Sequence, residues 1–360
     1  MSLRRLELTD FRSFAAGEFR PEAEGTTVIT GPNGTGKTSV LEALAYLGTG
    51  RSFRGAPKDA MVRSGQERAL IRAELDQGGS PTLAEAEIVP EGRSRTLINR
   101  KEARGRKEQA MAAPCTIFSP EDLVIVGGGP KGRRELLDDA LNLLDPAGAR
   151  AAEETDRVLR QRGALLRQAT GRVTEDVATT LDVWDQRLAG AGTSLAEARE
   201  RLVGDLEEFV VPAYCRLAGA EARDLVRQRY QRSWDGDLLD ALQEQRRQDV
   251  RRGVTTRGPH RDDLMLEIEG REARTHASQG EQRCLALALR IAVHQLVRAR
   301  TAVVPTLLLD DVFSELDPAR SRALVAEFPP GQVILTTAVP LPGGIEVGHI
   351  VDIEQLGRTP

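Results

Sequence analysis

The sequence predicts an α/β fold in which the two ends of the chain build one domain and the middle supplies a mainly helical lobe. Three observations support this prediction. A strand-like run near the N-terminus leads through glycines into a helix, an apolar run near the C-terminus ends in two acids, and the pattern from 133 to about 252 is helical. We therefore expect an α/β domain at 1–125 and 254–360, and a helical lid or arm domain at 126–253.

Length and composition fit a protein of two lobes. The chain has 360 residues, more than the roughly 250 at which a single core stops growing. A net charge of −4 excludes a uniformly basic nucleic-acid coat, and 4% aromatic residues argue against a surface that stacks many bases. Neither a membrane-length apolar run nor a secretion signal is evident, and the three cysteines form no CxxC motif. We expect a cytoplasmic protein without a membrane partner.

Strand-like patterns surround the first glycine-rich loop. Apolar residues alternate from Leu3 to Phe14, and residues 27–30 form a short run directly before the loop. Two or three further strands are predicted at 69–76 and 82–98, separated by glycine-containing turns. Together these patterns predict a mixed sheet with an antiparallel β subdomain.

The helical middle carries five large apolar residues at intervals of seven: Leu181, Leu188, Leu195, Leu202 and Phe209. This interval is typical of a coiled coil, but Gly190 and Gly192 interrupt the pattern, and four heptads are close to the minimum for a coiled coil. Packing within a small helical lobe is therefore favoured over a long arm.

A phosphate-binding loop is the most specific signal in the chain. The residues that fit the pattern GxxxxGK[ST], between a strand and a helix, are Gly31, Pro32, Asn33, Gly34, Thr35, Gly36, Lys37 and Thr38. Glycines let backbone N–H groups surround phosphate oxygens, and the helix start adds positive charge. We expect Lys37 to contact the β- and γ-phosphates and act in catalysis, and Thr38 to bind Mg²⁺. An ordinary glycine turn is the alternative.

An acidic strand end supplies the other half of such a site. Three leucines at 307–309 are followed by Asp310 and Asp311, at the carboxyl end where open α/β sheets bind ligands. We expect Asp310 to hold Mg²⁺ and Asp311 to orient the attacking water or accept its proton. Two solvated surface acids are the alternative. Because Lys37 and Asp310 are 273 residues apart, a large insertion must divide the domain.

A third motif begins 32 residues before Asp310 with Ser278, Gln279 and Gly280, at the start of a helical run. A serine and a glycine at a helix N-terminus can form a second phosphate-binding surface. A capping box with Glu281 is the alternative.

In this order, the three motifs resemble those of the ABC-type ATPase heads of the SMC and RecF group, over nearly the whole chain. Further blocks that carry the resemblance lie at 11–14, 41–43, 50–54, 118–123, 133–138, 258–264 and 309–317. The resemblance implies a P-loop ATPase head that binds ATP and Mg²⁺ and forms a head-to-head homodimer. Ser278, Gln279 and Gly280 of one subunit would then contact the ATP held by the other.

The resemblance also implies a function. The chain would be an ATP-dependent DNA-binding recombination mediator that binds duplex DNA at gaps or at junctions between single and double strands. With RecR and RecO as partners, it would assist the loading of RecA in recombinational repair, replication restart and the SOS response. Its ATPase activity would be weak and stimulated by DNA.

Three departures from the usual ABC pattern bear on hydrolysis. Asp311 stands where most of these ATPases have glutamate, one methylene longer, so slow hydrolysis is expected. Thr336 or Thr337 takes the place of the usual switch histidine, and Ser119–Glu121 that of the Q-loop glutamine. The group that senses the γ-phosphate stays unassigned.

Two basic runs are candidate DNA contacts. Residues 93–107 contain seven basic residues and one acid, and those expected to contact phosphates are Arg93, Arg95, Arg100, Lys101 and Arg104. Residues 246–261, with six arginines, are the second candidate. A solvated charged surface is the alternative for either run.

Two other classes of protein share the phosphate-loop and signature motifs. One is the nucleotide-binding subunit of a transporter, against which the fused helical lobe and the two aspartates argue. The other is an ATPase that gates a nuclease in a defence complex, which a partner nuclease and DNA cleavage would reveal.

Overall fold

The computed structural model describes residues 2–169, 171–219, 226–301, 303–328, 330–341 and 343–356. Within them the chain is a mixed α/β protein with one parallel and two antiparallel sheets, which confirms the predicted fold class. None of the described helices combines the length and apolar character needed to cross a bilayer. The chain divides into two compact units: the first is Met1–Leu123, Phe209–Arg223 and Gln279–Pro360, and the second is Val124–Glu208 and Asp224–Ser278.

The helices and strands are numbered in chain order. The first group is β1 (Ser2–Phe11), β2 (Phe14–Phe19), β3 (Gly25–Thr30), α1 (Lys37–Thr49), α2 (Lys58–Met61), β4 (Ala69–Gln77), β5 (Ser80–Ile88), β6 (Arg95–Ile98), β7 (Lys101–Glu102), α3 (Arg106–Ala112), β8 (Cys115–Phe118) and α4 (Leu123–Gly127). The second is α5 (Pro130–Leu144), α6 (Pro146–Gln168), α7 (Glu175–Ala218), β9 (Val226–Gln231), α8 (Leu238–Arg252), β10 (Asp263–Ile268), β11 (Arg271–Glu272) and α9 (Ala273–His276). The third is α10 (Gln279–Arg300), β12 (Thr306–Asp310), α11 (Pro318–Ala326), β13 (Gln332–Thr337), β14 (Val347–Asp352) and α12 (Ile353–Leu356).

The first unit contains a five-stranded parallel sheet in the order β14-β3-β13-β12-β8. Strands β12 and β13 are buried at every residue, as expected of apolar strands covered by helices such as α1. The register pairs Leu309 with both Phe118 and Leu335, and Thr336 with Ile29. The carboxyl ends of β8, β12, β13 and β3 therefore lie together, at the edge where the phosphate loop begins.

A six-stranded antiparallel sheet, in the order β2-β1-β4-β5-β6-β7, completes the β-structure of this unit. Its long strands alternate, so that Leu6 and Ile71 face the core while Arg72 and Glu74 are exposed. The strands predicted between residues 69 and 98 are confirmed as β4, β5 and β6.

The second unit contains helices α5, α6 and α8, most of α7, and the three-stranded antiparallel sheet β11-β10-β9. Strand β10 pairs with β9 from Asp263 opposite Gln231 to Ile268 opposite Val226. Residues up to Ser278 therefore belong to the same unit as the helices. This unit extends beyond the sequence-based bounds of 126–253.

Helix α7 is 44 residues long and runs through Gly190 and Gly192 without a break. The two glycines interrupt the seven-residue pattern of the sequence but do not break the helix. A Cβ at position 192 would lie 2.8 Å from Leu238 and 3.1 Å from Pro259, so this glycine permits close packing. The leucines spaced by seven are buried, from Leu181 onward.

Buried ion pairs hold the second unit together. Arg133, only 4% exposed, lies 2.6 Å from the carboxylate of Asp263, and Arg199 lies 2.8 Å from that of Asp138. Two sequence blocks that carry the family resemblance therefore meet inside this unit. Removing one partner of such a pair typically destabilises a protein by about 3–5 kcal/mol, because a buried charge stays uncompensated. Arg133 thus serves the structure of this unit.

Candidate nucleotide site

The phosphate loop joins the end of β3 to the start of α1. Gly31, Gly34 and Gly36 have φ values of 141°, 83° and 103°, in the region that favours glycine. At Gly31 a Cβ would lie 2.4 Å from Cγ2 of Ile353, so space as well as backbone conformation requires glycine there. The glycines of the motif therefore shape a loop whose N–H groups can approach an anion closely.

Lys37 folds back over this loop. Its Nζ donates hydrogen bonds to the carbonyl oxygens of Gly31 at 2.7 Å and Pro32 at 2.8 Å, and the residue is 7% exposed. Phosphate oxygens are charged acceptors and form stronger hydrogen bonds with an ammonium group than neutral carbonyls do. A phosphate in the loop could therefore replace both carbonyls.

Asp310 ends β12 next to the loop. Its Oδ1 accepts hydrogen bonds from the hydroxyl groups of Thr38 at 2.9 Å and Thr336 at 2.8 Å. Burial raises the pKa of this carboxyl group, an effect that the two hydroxyl groups oppose. Carboxylate and hydroxyl oxygens beside a phosphate loop are the ligands that Mg²⁺ prefers. The donor set fits Mg²⁺, which Thr38 and Asp310 would hold.

Asp311 has a left-handed backbone conformation, with φ of 47°. Its N–H donates at 3.1 Å to both the carbonyl oxygen and the hydroxyl oxygen of Thr336. Its Oδ1 is buried and has no hydrogen-bond partner among the described residues. A buried carboxylate oxygen without a hydrogen bond is energetically unfavourable. Oδ1 of Asp311 can therefore accept a hydrogen bond from a water molecule or a ligand.

The structure distinguishes between the two threonines at the end of β13. The hydroxyl group of Thr336 connects Asp310 and Asp311, whereas that of Thr337 bonds to the carbonyl oxygen of Val339 at 2.8 Å. The sequence could not distinguish between the two threonines. Neighbouring residues of a strand point to opposite faces of the sheet, and the sequence does not show which face lies toward Asp310.

The turn after β8 lies near Asp310, on the side of β12 that is opposite to β13. The N–H of Ser119 donates to Asp122 at 2.9 Å and thereby holds the turn. Glu121 lies 3.6 Å from Nε of Arg54. Burial has the largest effect on the pKa of Asp310, and the two hydroxyl groups oppose it; Glu121 raises this pKa further, and Arg54 lowers it. A charged pair therefore acts on Asp310 from the turn that takes the place of the usual glutamine.

Sequence reasoning missed a supporting cluster around Glu42. This carboxylate is fully buried in α1, and accepts hydrogen bonds from Nε of Arg12 at 2.7 Å and from the hydroxyl group of Ser52. Arg12 and Ser52 are 30 and 10 residues away along the chain, so no local pattern could have indicated the contact. The cluster positions α1, the helix that carries Lys37.

The signature segment begins a helix, as predicted. Helix α10 has 22 residues and starts at Gln279, directly after Ser278. A Cβ at Gly280 would lie 2.9 Å from Nη1 of Arg320, and Arg283 donates to the carbonyl oxygen of Glu315 at 2.7 Å. The first turns of α10 are therefore packed beside the segment that follows Asp311.

The first basic run is only partly available to a ligand. Arg93 pairs with Glu102, and Arg95 lies 2.6 Å from the carboxylate of Glu87. Among the residues predicted to contact phosphates, Arg100, Lys101 and Arg104 are exposed on and after the tight turn between β6 and β7. In the second run Arg246 is 2.7 Å from both Asp182 and Asp185, so its charge is already balanced.

Fold and site together define a P-loop protein of the ABC-type head class. The chain matches the family described as RecF/RecN/SMC N terminal domain over residues 2–337. It is similar to DNA replication and repair protein RecF of Beutenbergia cavernae, with 40% identity and 92% of each chain covered. The same protein of Acidothermus cellulolyticus is 39% identical, with 95% of each covered.

A solved structure supports the same grouping. The chain is similar to the recombination mediator protein RecF-ATPrS of the RecFOR pathway, with a TM-score of 0.81, 25% identity and 97% of each chain covered. The chain belongs to the RecF family.

Proposed function

We propose that this protein is an ATP-dependent DNA-binding recombination mediator. The proposal rests on one observation: the phosphate loop, Asp310 and Thr336 lie together at the carboxyl end of the parallel sheet, where Thr38 also contacts Asp310. The chain that carries this site is a member of the RecF family. The relatives are named DNA replication and repair proteins, and the similar solved protein is a recombination mediator of the RecFOR pathway. ATP would bind in the loop of residues 31–38.

Each side chain has a role that follows from its contacts. Lys37 would exchange two backbone carbonyls for the β- and γ-phosphates, and Thr38 and Asp310 would hold Mg²⁺, whose charge would offset that of the phosphates. Asp311 accepts a hydrogen bond from the attacking water through its unpartnered Oδ1. Its short side chain on a backbone held by Thr336 limits how well that water is aligned, so hydrolysis is slow.

A second copy would complete the site. Ser278 and Gln279 are exposed at the N-terminus of α10, where a long helix carries partial positive charge. In a head-to-head dimer, Ser278, Gln279 and Gly280 of one subunit would contact the ATP of the other. ATP thus stabilises the dimer, since it binds both subunits there and only one in the monomer.

DNA binding would use the exposed basic residues of the first run. Arg100, Lys101 and Arg104 are placed to neutralise phosphates, while Arg93 and Arg95 would first have to leave their carboxylate partners. The DNA would be duplex at a gap or at a junction between single and double strands. There the ATP-bound dimer would act with RecR and RecO to assist RecA loading, and DNA would stimulate its weak ATPase activity.

One experiment tests the nucleotide, dimer and DNA proposals together. We would measure binding to gapped, duplex and single-stranded DNA with ATP, ADP or no nucleotide, and molar mass by light scattering. The gapped DNA should bind most tightly with ATP, as a dimer. Lys37→Met should lose ATP binding, and Ser278→Arg should bind ATP but stay monomeric. A Ser278→Arg dimer, or equal DNA affinity with and without ATP, would contradict the proposal.

Replacing Arg100, Lys101 and Arg104 together by alanine tests the DNA contact. If each neutralises one phosphate, the slope of log affinity against log salt should become less steep by about 0.9 per residue. Arg72→Ala, on the exposed face of β4, is the control. An unchanged slope would exclude these three residues as the contact.

A further inference from the structure

Strand β14 is the outermost strand of the parallel sheet. It pairs with β3 on one side, Ile350 opposite Val28, and among the described residues no strand pairs with its other side. Five of its six residues are exposed. Its outer N–H and C=O groups therefore form an open template for one more strand.

The strand exposes two aliphatic side chains beside His349 and Asp352. Ile350 is 61% exposed and Val347 is 36% exposed. Strands of parallel sheets are normally covered on both faces, and exposed edges are normally blunted by lysines or prolines within the strand. Residues 323–356 contain neither lysine nor arginine. This strand therefore lacks the lysines and prolines that usually protect an edge against strand addition.

The charge around the strand is negative. Glu346 precedes the strand, Asp352 ends it, and Glu354 follows. From the neighbouring segment, Cγ of Glu22 lies 3.8 Å from the position of a Cβ at Gly348. A second copy of the same edge would bring the same acids together, so charge complementarity favours a basic segment instead.

We propose that the outer edge of β14 is a docking site for an extended, basic segment of another protein. The segment adds a sixth strand to the sheet, so that backbone hydrogen bonds supply affinity. Its aliphatic side chains contact Ile350 and Val347, and its lysines or arginines pair with Glu346 and Asp352. The Asp352 end of the strand pairs with Thr30, directly before the phosphate loop, whereas Glu346 and Ile350 are not among the ATP and DNA contacts proposed above.

The test uses the full chain without nucleotide or DNA. A negative result would therefore contradict this docking site and not the proposed ATP-dependent DNA binding. The probe is a fluorescein-labelled ten-residue peptide that alternates lysine with valine or threonine. A second peptide has glutamate for lysine, and a third carries N-methyl groups on alternate amides, which block strand pairing. Affinity is measured by fluorescence anisotropy, and amide hydrogen exchange locates the contact.

The lysine peptide should bind and slow amide exchange in β14. Ile350→Lys and Glu346→Lys should each weaken binding at least about tenfold, whereas Val183→Lys, at another exposed valine (51%), should leave it unchanged. The glutamate and N-methylated peptides should bind at least about tenfold more weakly. The proposal is overturned if the lysine peptide does not bind, if the N-methylated peptide binds equally well, or if exchange slows only outside β14.

Discussion

Thr336→Val removes the hydroxyl group that connects the two aspartates of the candidate site. That group donates to Oδ1 of Asp310 at 2.8 Å, and Asp310 would then keep only the hydrogen bond from Thr38. A hydrogen bond to a charged group contributes about 1.5–3 kcal/mol. We therefore expect the free energy of unfolding to fall by about 2 kcal/mol. Asp311 loses one of its two hydrogen bonds but keeps the one to the carbonyl oxygen of residue 336.

The same change should weaken magnesium-dependent nucleotide binding. If Asp310 holds the ion, loss of its orienting partner should reduce ATP affinity in Mg²⁺ by roughly tenfold, about 1.4 kcal/mol. Affinity in excess EDTA should change little, because the lysine and the loop do not depend on this threonine. A fluorescent ATP analogue, titrated with Mg²⁺ and with EDTA, measures both quantities, and urea unfolding measures stability.

Thr337→Val is the matched control for this experiment. Thr337 is 4% exposed and Thr336 is 1% exposed, so both substitutions remove a buried hydroxyl group from the same strand. Thr337 bonds to Val339 instead of Asp310, so its variant should keep the wild-type ratio of affinities in Mg²⁺ and EDTA. Thr336→Ser should restore most of the loss. Equal ratios for both valine variants would refute the role assigned to Asp310.

Three further predictions concern single residues. Asp311→Asn should prolong the ATP-bound dimer by removing the oxygen that orients water, and faster turnover in a single-turnover assay would exclude this role. Gly31→Ala should lower stability by about 1–3 kcal/mol more than Gly34→Ala, because both strain a backbone with positive φ but only the Cβ at residue 31 would lie 2.4 Å from Ile353. Equal losses in urea would show that the contact with Ile353 is unimportant. Burial lowers the pKa of His294 to about 4, so only the unfolded chain gains this proton between about pH 6.5 and 4. Stability should therefore fall by up to roughly 3 kcal/mol as pH falls through that window, and His294→Gln should weaken this pH dependence. The same loss in the variant as in the wild type, measured by urea unfolding, would contradict the prediction.

Local sequence patterns predicted much of the site because its chemistry depends on short motifs. The pattern from Gly31 to Thr38 predicted a phosphate loop between a strand and a helix, and the three leucines before Asp310 predicted a buried strand. The alternation of apolar residues likewise predicted the antiparallel strands. In each case the information lies within about ten residues.

Other features depend on residues that are distant in sequence. Glu42 is recognisable as a support for α1 only when Arg12 and Ser52 reach it from other segments. Gly192 interrupts the seven-residue apolar pattern in the sequence, but in the structure Leu238 and Pro259 pack where its side chain would be. The continuous helix is therefore a result of tertiary packing, which overrides the low helix propensity of glycine.

The sequence by itself determined the class of fold, the phosphate loop and the acidic strand end, because periodicity and short-range spacing encode them. Only the tertiary structure decided that Thr336 rather than Thr337 serves Asp310, that Arg93 and Arg95 are already paired, and that one edge of the parallel sheet is open. These properties follow from strand register and from contacts between distant segments. The order of residues along the chain does not show them, because they depend on which segments come together when the chain folds.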